Sequence, residues 1–196
     1  MKETNHKRFK QLTTRYVPYS FRSRIEEAKS GVRVIQPKDV KDEQILWESV
    51  VTTALTGKKE PEYLKDGDIL ILSRGMKQQT FVFKSKDDEQ KTICSNVYYH
   101  YRVANDEINP YYLAFVLNHN NKIKNQIEVG SASSSMTVKV YSRQSIEELD
   151  IPLPPKKEQD AIVALHNNIT QQQQCYQKLM DSNQAMLASI ASQLTK

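Results

Sequence analysis

The sequence predicts an α+β fold: a mixed, β-rich domain over about residues 16–152, then one long C-terminal coiled-coil helix over about 156–194. Three observations predict it. Short β-branched and aromatic runs recur between turn signals through the first half of the chain. After Asn109-Pro110 the apolar residues change to a helical period. Beyond Pro155 there is neither proline nor glycine, so from a helix start near Lys156–Glu158 about 38 residues, roughly 57 Å if continuously helical, run on without a breaker.

Residues 1–15 are polar and without a clear period, and read as an expression remnant or a flexible lead-in. Val32-Arg-Val-Ile35 is a short strand stopped by Pro37. Asp66-Gly67 marks a turn into a second strand, Ile69–Leu72, which Ser73-Arg74-Gly75 breaks. Thr80–Phe83 and Thr92–Arg102, the latter carrying Tyr98, Tyr99 and Tyr101, are further strands. Tyr112, Leu113, Phe115, Val116 and Leu117, then Ile123 and Ile127, suit one or two helices with an apolar stripe. Gly130–Ser135 reads as a flexible polar loop and Thr137–Tyr141 as a strand. Three prolines in Ile151-Pro-Leu-Pro-Pro155 cannot sit inside a helix, so they read as a stiff extended linker. Glu158 and Asp160 then suit the positive end of the helix that follows. The expected division is therefore a domain at 1–152 and a linker with its helix at 153–196.

The apolar positions of that helix repeat by sevens. One line runs Ile162, Ile169, Tyr176, Asn183, Ile190, flanked by Leu165, Leu179 and Met186 on one side and Met180, Leu187 and Leu194 on the other. Gln172, Gln173 and Asn183 interrupt it. A lone helix cannot bury such a stripe against itself, and no other segment is long enough to match it. The expected partner is a second copy, paired antiparallel about a two-fold axis near Tyr176, with Asn183 facing Ile169 and Thr170.

At 196 residues, with 38% hydrophobic and 26% charged residues, the chain can build a core. Its longest apolar runs are far too short to cross a bilayer, and the basic N-terminus has no apolar stretch behind it, so neither a membrane nor a secretory role is expected. Cys94 and Cys175 lie far apart, with no CxxC and no nearby histidine pair; two free thiols in a cytoplasmic protein are expected. The net charge of +5 is lopsided. Within residues 1–24, Lys2, Lys7, Arg8, Lys10, Arg15, Arg22 and Arg24 face only Glu3. Such a patch suits a phosphate backbone, because neutralised phosphates release counterions.

Several stretches together resemble the specificity subunit of type I restriction–modification systems, in a half-length form with a single target-recognition domain. They are FRSRIEEAKSGVRVIQPKDV at 21–40, YLKDGDILILSRG at 63–75, INPYYLAFVLN at 108–118, GSASSSMTVKV at 130–140 and IEELDIPLPPKKEQDAIVAL at 146–165. The last is the most specific: a proline-rich exit into a long helix with Glu158-Gln159 at its start. Order and spacing match over roughly residues 16–196. Two departures stand out. Complete subunits of the family carry two recognition domains and two long helices paired antiparallel as a spacer, whereas this chain has one of each. Lys156 stands where the family usually has leucine, which is expected to loosen one contact without altering the architecture.

The resemblance implies a non-catalytic subunit that binds double-stranded DNA and organises a methyltransferase subunit and a restriction and translocase subunit. S-adenosylmethionine, ATP and magnesium would then be used only by those partners. The residues agree with that division. Asn109-Pro110-Tyr111-Tyr112 is similar to the tetrad with which amino-methyltransferases hold a base, but the second proline is missing and no glycine-rich loop precedes it; a turn starting a helix at 111–118 is the better account. Asp68, Glu89 and Lys91 can be forced into the spacing of a magnesium nuclease, but they fall in turn and charged-loop signals. His6, His100, His119 and His166 have no carboxylate or serine at motif spacing, and there is no phosphate-binding loop.

Reading DNA requires less: long donors at base edges, arginine or lysine to guanine, glutamine or asparagine to adenine, with other basic groups on the backbone. The candidates are Arg22, Arg24, Gln36, Lys38, Arg74, Lys77, Gln78, Gln79 and Lys139. Gln78-Gln79 beside Lys77 and Arg74 forms the densest group. Arg102 is expected to pair with Asp106 or to stack on Tyr101. Candidate dimerisation residues are Ile162, Leu165, Ile169, Tyr176, Leu179, Asn183, Leu187 and Ile190. The rival reading is a half-subunit that acts by protein–protein contact alone, as a decoy.

Overall fold

The computed structural model describes residues 5–21, 24–55, 57, 60–87, 90–133 and 138–194. The chain begins with β1 (Asn5–Arg8), the one-turn helix α1 (Phe9–Leu12) and β2 (Thr13–Tyr16). There follow β3 (Val32–Ile35), the hairpin β4 (Val40–Lys41) and β5 (Gln44–Ile45), then β6 (Val51–Thr53), β7 (Ile69–Leu72), β8 (Arg74–Gly75) and β9 (Thr80–Val82). Next come β10 (Thr92–Cys94), β11 (Tyr98–Val103), α2 (Pro110–His119), α3 (Asn121–Val129), β12 (Ser131–Ser133) and β13 (Lys139–Tyr141). The chain closes with α4 (Arg143–Glu147), β14 (Asp150–Leu153) and α5 (Lys156–Leu194). The architecture is the expected α+β one.

Two expectations need correcting at the ends of the β-rich part. Residues 5–15 are no lead-in: Phe9 and Leu12 are fully buried, and the Phe9 ring meets Tyr101 edge-on at 4.9 Å. The pattern is too short to show a period, yet its two apolar residues fill the core. Nor is the proline segment only a linker. β14 pairs antiparallel with β1, with His6 opposite Pro152 and Arg8 opposite Asp150, and Ile151 is fully buried. A proline is tolerated because this two-stranded ribbon leaves edge positions with no donor to supply.

The main sheet runs β2-β11-β7-β9, all antiparallel, with Tyr98 opposite Leu72 and His100 opposite both Leu70 and Tyr16. Ile69 to Leu72 are buried on both faces, so the strand reads as a continuous apolar run. Its entrance is the expected turn, where Gly67 takes φ +89, a conformation open to glycine. A second sheet, β10-β3-β6, sets β3 and β10 parallel; a third, β12-β13-β8, includes Ser131–Ser133, which sequence patterning assigns to a loop. Thr92–Arg102 is thus two strands, on different sheets, split at Ser95–Val97. The turn between β4 and β5 places Asp42 at φ +48 and Glu43 at φ +64, each costing roughly 1–2 kcal/mol for a residue with a Cβ.

The two helices after Asn109 form as expected. The Asn109 side chain accepts from the Tyr111 amide at 2.9 Å, so it caps a helix that starts on Pro110. α5 begins alongside α2 and runs in the same sense: Asp160 lies beside Asn109 at 2.8 Å, and His166 beside Phe115 and His119. Gln159 fixes this start. It is fully buried, accepts from the Asn109 amide at 2.8 Å and donates to the carbonyls of Glu107 and Pro154, both at 2.9 Å. Lys156 donates to the Asp106 carbonyl at 3.1 Å, so the position occupied by leucine in the family makes a contact of its own. Ile162 and Val163 pack on the core to which α1, α2, α3 and β14 contribute, His166 still touches Phe115 and His119, and from residue 171 onward the helix is exposed.

Candidate nucleic-acid interface

The ends of four strands meet at one edge of the β-rich part. β3 and β10, being parallel, both finish there, and β7 finishes there opposite the start of β11. The turn Ser95–Val97 ties them together. The Ser95 amide donates to the Ile35 carbonyl at 2.9 Å, while the Ser73 amide and hydroxyl both donate to the Val97 carbonyl at 2.8 and 2.7 Å. The Tyr141 amide donates to the Ser73 carbonyl at 2.9 Å, which brings β13 alongside β8 with Lys139 opposite Gly75.

This topology gathers candidates that are far apart in sequence. Arg24, Gln36 and Lys38 line one open groove of 400 Å³, together with Phe21, Val51 and Asn96. Asn96 lies in the turn that contacts Ser73, so Arg74, Lys77, Gln78, Gln79 and Lys139 continue the same edge. Arg74, Lys77, Arg24 and Lys38 are exposed. Gln78 is less free than its position in a polar cluster implies: it is half-buried and its amide donates to the Thr80 hydroxyl at 2.6 Å. Lys139 is half-buried and pairs with Glu128 at 3.2 Å. Arg22 lies outside the described residues, as do Ser134 and Ser135 of the serine run.

Three described basic residues of the N-terminal stretch contact acidic residues or carbonyls of the fold. Lys7 pairs with Glu107, Lys10 with Glu148 at 2.5 Å, and the Arg8 guanidinium donates to the Glu148 carbonyl at 2.6 Å. The carboxyl of Glu148 is held below its usual range by the Lys10 hydrogen bond. These pairs lie toward the Val103 end of β11, away from the polar edge. Arg8 and Lys10 stay exposed while making these contacts, and Arg15 on β2 and Arg24 in the groove are exposed as well.

Arg102 also differs from expectation. It pairs with Asp68, Nε at 2.6 Å and an Nη at 2.9 Å, with its guanidinium 4.4 Å from the Tyr16 ring centroid; its partners are not Asp106 and Tyr101. Asp68 is fully buried and also receives His100 Nε2 at 2.7 Å and the Lys65 amide at 2.8 Å. Burial alone would raise its carboxyl pKa, but the bonds from His100, Arg102 and the Lys65 amide outweigh it and hold the group below the ordinary range. Its oxygens are therefore committed to the core and cannot serve a magnesium ion. Lys91, the other described member of that trio, sits over the Tyr63 ring at 4.3 Å, and Glu89 lies outside the described residues. Both cysteines are free: Cys94 is buried, which pushes its thiol up to about 12, and Cys175 is exposed on α5.

The apolar seam of α5 is open for most of its length. Leu165, Ile169, Leu179 and Ile190 are exposed, as are Tyr176 at 65% and Leu187 at 66%, with Asn183 among them. Ile162 is the exception, half-buried against the chain's own core. Among the described residues, no helix is long and apolar enough to cross a membrane.

Fold and site together define the class: an α+β module with a polar strand-end edge, carried on a helix whose apolar face beyond Ile162 is mostly exposed among the described residues. The profile of the family described as type I restriction modification DNA specificity domain matches residues 16–179, and the chain belongs to that family. Among solved structures the chain is similar to one from work on the assembly and conformational transition of the type I R-M system. The TM-score is 0.66 at 20% identity, over 95% of this chain and 43% of that one. It is also similar to the HsdS subunit from Thermoanaerobacter tengcongensis, with TM-score 0.57, 19% identity, and 86% and 37% coverage. The S subunit of the type I system from M. genitalium gives TM-score 0.55 and 11% identity, over 87% and 40% of the two chains. This chain thus spans less than half the length of each of these three. No curated protein matches it.

Proposed function

We propose that this chain is the sequence-reading module of a type I restriction–modification complex, binding double-stranded DNA through the edge that carries Arg24, Gln36, Lys38, Arg74, Lys77, Gln78, Gln79 and Lys139. The observation behind this reading is the convergence of residues 24–38, 74–79 and 139 on one edge of a specificity-domain fold. Arginine and lysine can reach guanine edges or phosphates there, and glutamine and asparagine can reach adenine. The chain does no chemistry in this scheme; methyltransferase and restriction subunits in the cytoplasm supply it with their own S-adenosylmethionine, ATP and magnesium. Selection from a random-sequence DNA library by gel shift tests the reading. Enrichment of a defined motif is expected, and a library that stays random would overturn it.

The open face of α5 gives the module its partner. Two copies pair antiparallel through Leu165, Ile169, Tyr176, Leu179, Asn183, Leu187 and Ile190, about a two-fold axis near Tyr176. The pair would hold two recognition domains at opposite ends of a rod and read a palindromic site in two halves. The same face supports the rival reading, a decoy half-subunit that occupies a methyltransferase or a full specificity subunit. The library separates the two, because the decoy enriches no motif yet still associates.

A further inference from the structure

The hairpin turn, the end of α2 and the third turn of α5 bring three metal-ligating side chains together. Glu43 comes from the turn between β4 and β5, His119 from the last residue of α2, and His166 from α5. One ligand atom from each lies within 4.8 Å of the other two. His119 Nε2 already meets Glu43 Oε1 at 3.1 Å, and the two imidazole centroids are 4.9 Å apart. Phe115 orients both rings, at 5.0 Å from His119 and 5.2 Å from His166. The three groups face an open cavity of 480 Å³, which leaves room for a water ligand.

We propose that Glu43, His119 and His166 form a binding site for a zinc-class divalent ion, with water as the fourth ligand, that clamps α5 to the recognition domain. Two imidazoles and one carboxylate make a donor set that zinc accepts, at about 2.0–2.2 Å per bond, so the three groups need close by little to share one ion. One further observation favours it. Glu43 holds a left-handed backbone at φ +64, and a non-glycine residue kept there marks a position fixed by its surroundings. The site has a mechanical logic as well. His166 lies two turns beyond Gln159 on the body-facing side of α5, where the core contacts of Ile162 and Val163 end. An ion there would extend the anchored part of the helix and fix the angle at which it leaves the domain.

The test uses the full chain without an affinity tag. Zinc is titrated by calorimetry, and cobalt(II) by visible absorption, which reports tetrahedral coordination. One ion per chain at micromolar affinity or better is expected, with a raised melting temperature. Each of Glu43→Gln, His119→Gln and His166→Gln should weaken binding at least about 100-fold. These residues sit on three separate elements, all partly exposed, so circular dichroism of the three variants controls for folding. Cys175→Ser and His6→Gln, which remove exposed donors elsewhere, should bind as the parent does. The proposal fails if the parent takes up no ion at these concentrations. It fails equally if binding persists in both histidine variants. Neither result depends on whether the chain binds DNA.

Discussion

Asp68 is the residue on which the most structure converges. Its carboxylate joins β7 to β11 through His100 and Arg102 and closes the preceding turn through Lys65. Replacing it with alanine should cost about 3–5 kcal/mol, the price of breaking a buried ionic network from one side, measured by urea unfolding at pH 7. Because its folded pKa is depressed, its contribution is fully present above the unfolded value and is lost as pH falls through the folded one. The parent should therefore lose stability below about pH 4, and the variant should show a shallower acid slope in the same window. At the polar edge, the free reach of Arg74 and Lys77 contrasts with the tethered Gln78. If Gln78 and Gln79 read bases, changing both to alanine should lower discrimination by roughly 1–3 kcal/mol while leaving random-DNA affinity nearly unchanged. Equal losses in competition assays would show that these side chains touch only the backbone.

At the scale of elements, the junction between β14 and α5 decides how the helix can be studied. Gln159, Ile162 and Val163 belong to the body, so a chain cut at Lys157 would strip the domain of its own contacts. Gln159→Ala alone leaves the Asn109 amide and two carbonyls without partners, and should destabilise the fold by about 1–3 kcal/mol in thermal or urea unfolding. A chain ending at Gln174 keeps these contacts and removes most of the open seam. Ultracentrifugation should find the full chain dimeric at tens of micromolar and the shortened chain monomeric. A full chain that sediments as a monomer would refute the antiparallel pair. Cys175 offers a second readout, since a short thiol cross-linker should join two chains if Tyr176 lies near the axis.

For the whole molecule, the prediction concerns salt. Arg24, Lys38, Arg74, Lys77 and Lys139 lie along one edge, whereas Lys7, Arg8 and Lys10 are paired within the fold at the other end of β11. Log affinity should fall linearly with log salt with a slope of about −4 per recognition domain, each phosphate contact contributing about −0.9. Changing Lys7 and Lys10 should leave that slope unchanged, while Arg74→Ala should reduce it by about 1 if Arg74 contacts a phosphate. A dimer that selects a one-part asymmetric site would keep the pairing and remove the two-halves reading.

The sequence alone determined the elements with strong local signals. The strand Ile69–Leu72, the capped start of α2 at Asn109-Pro110 and the breaker-free run of α5 are all local matters of alternation, capping and the absence of proline and glycine. The stretches resembling specificity subunits were legible in the same way. What only the tertiary structure decided involves partners far apart in the chain. Phe9 and Leu12 read as an incidental pair in a polar stretch until the core surrounds them. The partnership of Arg102 with Asp68 comes from the register of β11 against β7, and that of β1 with β14 joins the two ends of the β-rich part. His119, His166 and Glu43 share no motif spacing, and they meet because α5 follows α2 over a hairpin from a third region. Local free energies set which residues form a helix or a strand, whereas these juxtapositions depend on how several elements pack at once, and one-dimensional spacing carries no record of that.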